Sequence, residues 1–170
     1  PQSMLEVAKQ DGISLPYSDI MELDSFLRIG KKRGTLEDYL KRFDITLSVM
    51  QTPKSLVRFA YELIEDVARE NIRYIEVRYS PILHTKQGMT LKDAIESVLK
   101  GLKKGKKDFG VKSGIIVCGI RSISPAISLK LADLSVQYKN RGVVGFDLAG
   151  AEENFPAKEH REAFYLIRNN

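Results

Sequence analysis

The chain has 170 residues, 43% of them apolar and 29% charged, a composition suited to a packed protein with an aqueous surface. A single cysteine excludes an internal disulfide, and a net charge of +5 is too modest to define a partner. No apolar run reaches membrane-spanning length and no signal-peptide pattern is present, so a cytoplasmic protein that does not enter a membrane is expected.

The N-terminal quarter contains no strand pattern. Ser3 to Gln10, Ile20 to Ile29 and Thr35 to about Ile45 read as short helices, separated by Gly12, Pro16 and the stretch from Gly30 to Gly34. Leu36, Tyr39, Leu40 and Phe43 share one face of the third helix, which either packs on a core or forms an apolar lid. Packing is the default for such a stripe. A longer amphipathic helix follows, with Thr52 as cap, Pro53 at its first position, and Leu56, Phe59, Ala60, Leu63, Ile64, Val67 and Ala68 on one face.

That helix feeds the first strand, Tyr74 to Pro81, "YIEVRYSP", in which Glu76 and Arg78 alternate with Ile75 and Val77. Arg78 needs an acidic partner or a ligand if it is buried, and an ion pair is at least as good a reading as ligand contact. Thr90 and Asp93 begin the next helix, with Leu91, Ala94, Ile95, Val98 and Leu102 inward and a lysine run (Lys100, Lys103, Lys104, Lys106, Lys107) solvating its end. The second strand, "GIIVCGIR", runs from Gly114 to Arg121, so that Arg121 is expected to repeat the geometry of Arg78. Cys118 lies within it, as a packed small residue. Ser124 and Pro125 start a further helix, with Ile127, Leu131, Leu134 and Tyr138 inward, and Gly142 turns the chain into the third strand.

This last strand, Val143 to Leu148, is too apolar for a solvated loop and reads as a central parallel strand. Asp147 and Gly150 stand at its C-terminal end, where α/β folds gather their functional groups. Gly150 offers a backbone N–H with no side chain before it. A final helix is expected from Pro156 to about Asn169, and His84 and His160 are read as surface residues without metal-ligand spacing.

The alternation of strand and helix requires right-handed crossovers and a parallel sheet. Neither a dinucleotide-binding glycine motif nor a phosphate loop is present, which favours a barrel over a doubly wound sheet. A closed barrel takes roughly 250 residues, and only three core strands are found, near 74–80, 114–121 and 142–149. The expected fold is therefore α/β, a partial (β/α)8 TIM barrel over 51–170 with an N-terminal helical cap over 1–50. Such a piece needs further barrel segments, or another chain, to cover its sheet edges.

"YIEVRYSP", "CGIR" with "SISP" behind it, and above all "GVVGFDLAGAE" followed by "FPAKEHREAF" resemble the adenosine deaminase family of metal-dependent barrel hydrolases. The resemblance covers essentially the whole chain. It implies zinc (Zn2+) in the parent protein, a metal-activated water attacking C6 of a purine nucleoside, and conversion of adenosine or deoxyadenosine to the inosine product. The family's H-x-H pair and H-A-G-E motif have no counterpart here, so the resemblance implies no metal ligand or catalytic residue in this segment, which alone should be inactive. Gly150 matches the family glycine whose main-chain N–H meets the purine ring. Asp147, Leu36, Tyr39, Leu40 and Phe43 match positions around the nucleoside, with Arg78 and Arg121 as supporting groups.

Two rival readings stay open. A relative acting on adenine, a methylated adenine nucleotide or a futalosine-type nucleoside would keep the family and change the substrate. A basic nucleic-acid-binding module would use the lysine run, but the aromatic interleaving of a base-stacking surface is missing, so no nucleic acid partner is expected.

Overall fold

The computed structural model describes residues 1–28 and 36–170, with the side chains of the third helix described from Arg42 onward. Three N-terminal helices, α1 (Gln2–Asp11), α2 (Ile20–Leu27) and α3 (Leu36–Ser48), precede the helix α4 (Pro53–Arg69). Then come β1 (Tyr74–Tyr79), α5 (Leu91–Phe109), β2 (Lys112–Ile120), α6 (Pro125–Gln137), β3 (Val143–Ala149) and α7 (Arg161–Arg168). The expected ends of the second and third helices at Ile29 and Thr35 lie outside the described residues.

The strands form one parallel sheet in the order β1-β2-β3. The expected capping chemistry starts its helices. Thr52 accepts from the Ser55 N–H and Thr90 from the Asp93 N–H, each in a reciprocal capping box, and the Ser124 hydroxyl accepts from the Ala126 N–H. Gly110 ends α5 in the left-handed region at φ 75°, behind Lys106 and Lys107 in the last turn.

Helices α4, α5 and α6 bury their apolar faces on one side of the sheet. Leu56, Ile64, Ile95, Leu102, Leu131 and Tyr138 bury themselves against Ile115, Val117 and Val143 in the main core. The opposite sheet face remains open: Tyr74 is 52% and Val144 53% exposed. This one-sided layering is the arrangement of a barrel arc, with helices outside and the C-terminal strand ends on one rim. The N-terminal helices share a smaller apolar cluster of Met4, Val7, Ala8, Leu23 and Val49, joined to the main core through Met50. Gln51 fixes that junction, its side-chain amide donating to Leu47 and Leu83 carbonyls at 2.8 and 2.9 Å.

Three expectations are corrected. The second strand begins at Lys112 and ends at Ile120, so Arg121 stands in the turn beyond it. Register places Arg78 level with Ile116, five residues before Arg121, and the two arginines cannot be equivalent by strand geometry. The final helix is shorter than expected, because residues Ala157–His160 form a 3-10 turn before α7. Finally, His84 and His160 are not surface residues but are 4% and 2% exposed.

Candidate functional site

The C-terminal rim gathers Arg78 from β1, Cys118 from β2 and Asp147 from β3. Cys118 and Asp147 are register partners in adjacent strands, and both face away from the helices. Arg78 Nε donates to Asp147 Oδ2, and the Cys118 Sγ lies 3.6 Å from the same oxygen. The ion-pair reading of Arg78 therefore holds, with side chains 49% and 42% exposed rather than buried. Glu76, on the same face of β1 as Arg78, accepts from the Tyr74 hydroxyl at 2.7 Å.

These neighbours set the charges. Burial works against ionised Asp147, but the Leu148 N–H and the Arg78 guanidinium outweigh it and hold the carboxyl below its usual range. Burial pushes the Cys118 thiol up to about 11, with Arg78 opposing and Asp147 adding to the rise, so it stays protonated at neutral pH. The rim thus offers a fixed anion, a fixed cation and a neutral thiol.

Gly150 follows Ala149, the last residue of β3, and has φ +107°, a conformation that L side chains rarely adopt. A Cβ there would sit 3.6 Å from both Arg121 N and Ile120 Cγ2, which is ordinary contact. Backbone conformation, not crowding within the chain, makes glycine necessary here. Arg121 lies alongside, its side chain reaching Glu152 and the Phe155 carbonyl. The structure thus brings Gly150 and Arg121 together, and separately pairs Arg78 with Asp147.

Phe43 is 43% exposed on α3, while the side chains of Leu36, Tyr39 and Leu40 lie outside the described residues. Three clefts among the described residues, about 490, 600 and 550 Å³, are lined by α4, α5 with its lysine run, Ser113, Arg141 and Gly142, and none of the three includes Arg78, Cys118, Asp147 or Gly150. Among the described residues, the open sheet face gives the rim no enclosing wall.

Sequence reasoning missed the polar side chains that support the rim. Ser80 donates to the Cys118 carbonyl at 2.6 Å, binding the end of β1 to β2. Ser128 on α6 meets the His160 ring at 2.8 Å, and both are buried. The signal for Ser128 was available: Ser128 and Ser135 interrupt the apolar stripe of α6 at positions 1% and 3% exposed, and a buried serine needs a partner.

The donor set does not fit zinc. His84 Nδ1 is 2.8 Å from the Met50 carbonyl, and His160 bonds through both ring nitrogens. Among the described residues no three His, Cys, Asp or Glu side chains converge as a metal site. Nor is any described helix long and apolar enough to cross a membrane.

A half-open parallel sheet, helices on its outer side and a loop-bearing C-terminal rim define a (β/α)-barrel protein. Residues 1–170 match the family model described as adenosine deaminase, and the chain belongs to that family. It is 39% identical over 176 residues to an adenosine deaminase of Mycobacterium marinum, covering 100% of this chain and 48% of the relative. With an adenosine deaminase of Clostridium perfringens it shares 36% identity, covering 99% of this chain and 51% of the relative. The chain spans about half the length of these relatives.

Solved structures agree in fold. The adenine deaminase of Arthrobacter aurescens superposes with TM-score 0.85 at 24% identity, over 99% of this chain and 50% of that one. An amidohydrolase of Burkholderia ambifaria, solved with bound Zn, gives 0.82 at 21% identity, covering 99% of this chain and 45% of that one. The Arabidopsis protein ADAL, complexed with GMP, gives 0.79 at 23% identity, covering 99% and 51%.

Proposed function

We propose that the protein to which this chain belongs hydrolyses adenosine or deoxyadenosine to the inosine product, releasing ammonia. The family match across residues 1–170 carries the reading. Relatives named adenosine deaminase at 36 and 39% identity support this substrate over adenine or an adenine nucleotide.

Within that reaction the segment 51–170 supplies part of a nucleoside pocket and residues 1–50 a cap beside it. The Gly150 N–H meets an acceptor on the purine ring, on a backbone turn that bars any Cβ from the approach. Asp147, kept ionised by the Leu148 N–H and by Arg78, supports the rim as a fixed acceptor, and the apolar face of the third helix, Phe43 included, is the cap's contribution toward the nucleoside. Zinc would supply the activated water in the whole protein. Of this chain's histidines, His84 bonds the Met50 carbonyl through Nδ1 and His160 bonds through both ring nitrogens.

The test uses the full-length protein encoded with this chain. Ammonia release from adenosine, compared at equal concentration with adenine and N6-methyl-AMP, should be fastest for adenosine. Turnover of either competitor with adenosine inert would replace this reading with that of another purine deaminase.

A further inference from the structure

We infer that Arg121 is a positioning residue for purine binding, acting through the loop that carries Gly150; the inference rests on the function proposed above. Four hydrogen bonds tie this one residue to the chain on both sides of Gly150. Its N–H donates to the Ala149 carbonyl at 2.8 Å. Nη2 donates to Glu152 Oε1 at 3.0 Å and Nη1 to the Phe155 carbonyl at 3.3 Å. Its own carbonyl lies 3.2 Å from His160 Nε2.

That last contact fixes the imidazole. A carbonyl can only accept, so Nε2 carries a proton, and in the neutral tautomer Nδ1 accepts from the Ser128 hydroxyl at 2.8 Å. Ser128 and His160 are 1% and 2% exposed, so a dry relay anchors the Arg121 backbone to α6. The side chain is held as well: it is 16% exposed, against 78% for its partner Glu152. The enclosed member of this pair is the arginine, and the exposed member belongs to the loop it grips.

The consequence falls on Gly150. Glycine reaches φ +107° without the strain of a side chain, but it also has the most backbone freedom to lose. Nothing intrinsic to residue 150 aims its peptide. Direction comes from the neighbours, and Ala149, Glu152 and Phe155 are all tied to Arg121. A guanidinium can hold a carboxylate and a carbonyl together from its planar fork, whereas a lysine ammonium keeps the charge without that geometry. Arg121→Lys therefore separates orientation from charge, and Glu152→Gln weakens one arm of the grip at an exposed site.

The experiment takes the full-length zinc-loaded protein, with Arg121→Lys and Glu152→Gln, and measures amide hydrogen exchange alongside adenosine kinetics. For Arg121→Lys, exchange across residues 150–155 should rise on the order of tenfold while β2 stays protected. KM should rise about tenfold with kcat within roughly threefold, because binding is lost before the chemical step. Glu152→Gln should shift both readouts the same way by less. Freed loop amides with an unchanged KM would overturn the inference, as would loop amides that stay protected. A fall in kcat with β2 also deprotected would show a merely structural role and overturn it too. Failure of the wild type to turn over adenosine would instead overturn the proposed function, and the exchange data would still decide whether Arg121 grips the loop.

Discussion

Gly101→Ala has a cost that the helix pair α4 and α5 sets narrowly. A Cβ at Gly101 would lie 2.4 Å from the Val57 carbonyl oxygen, 2.7 Å from Ala60 Cβ and 3.2 Å from Tyr61 N. These are backbone atoms or a first side-chain carbon, so no rotamer change relieves them and the helices must part. Overpacking of this kind costs about 1–3 kcal/mol, and the contact with a carbonyl oxygen favours the upper half of that range. Alanine's better helix propensity returns roughly 1 kcal/mol. The expected net loss is about 1–2 kcal/mol, enough to lower the unfolding midpoint clearly. Urea unfolding of the full-length protein measures it, with Lys100→Ala on the exposed side of the same helix expected within about 0.5 kcal/mol of wild type. If Gly101→Ala matched or exceeded wild-type stability, the glycine would not be setting the α4–α5 approach.

Other substitutions probe the rim and its supports. Gly150→Ala should cost about 1–3 kcal/mol through backbone strain alone, since its Cβ meets only ordinary contacts; a thermal scan showing no loss would refute the left-handed requirement. Burial lowers the His84 pKa, with the Met50 carbonyl opposing, so the unfolded chain takes up this proton first. Stability from this group should be complete above about pH 6.5 and decline as pH falls from there toward the lowered folded value. Urea midpoints against pH should show that slope in wild type and a flatter one in His84→Gln; identical slopes would exclude His84 as the cause. Asp147→Asn should cost no more than about 1 kcal/mol, because its pair with Arg78 is half exposed. The same change should lower the Cys118 pKa from about 11, as read by thiolate absorbance, with burial keeping it above an ordinary thiol.

The parts legible from sequence were those carried by local rules. Thr52, Thr90 and Ser124 lie next to the helix starts they cap, and apolar spacing alone places Leu56, Ile64, Ile95 and Leu131 in the core. The histidines failed because their burial depends on partners far along the chain: Met50 for His84, and Ser128 and Arg121 for His160. No periodicity in the loop around either residue carries that information. Register was equally invisible. Both "YIEVRYSP" and "GIIVCGIR" look like strands that close on an arginine, yet pairing sets Arg78 beside Ile116 and leaves Arg121 past the end of β2.

That misreading joined two different devices. Arg78 faces the open side of the sheet and offsets the charge of Asp147, so its loss changes the electrostatics of the rim. Arg121 is more enclosed and holds the loop after β3 by side chain and backbone together. Under the proposed function Gly150 would connect the second device to binding, because its unusual φ leaves orientation to its neighbours. If the proposed function holds, the rim separates its labours: strands place the charges to within a register step, while Arg121 in the next turn holds the chain on both sides of Gly150. Substitutions at Arg78 should therefore act through charge and pH, and substitutions at Arg121 through geometry, even though both positions carry a guanidinium on the same edge of the sheet.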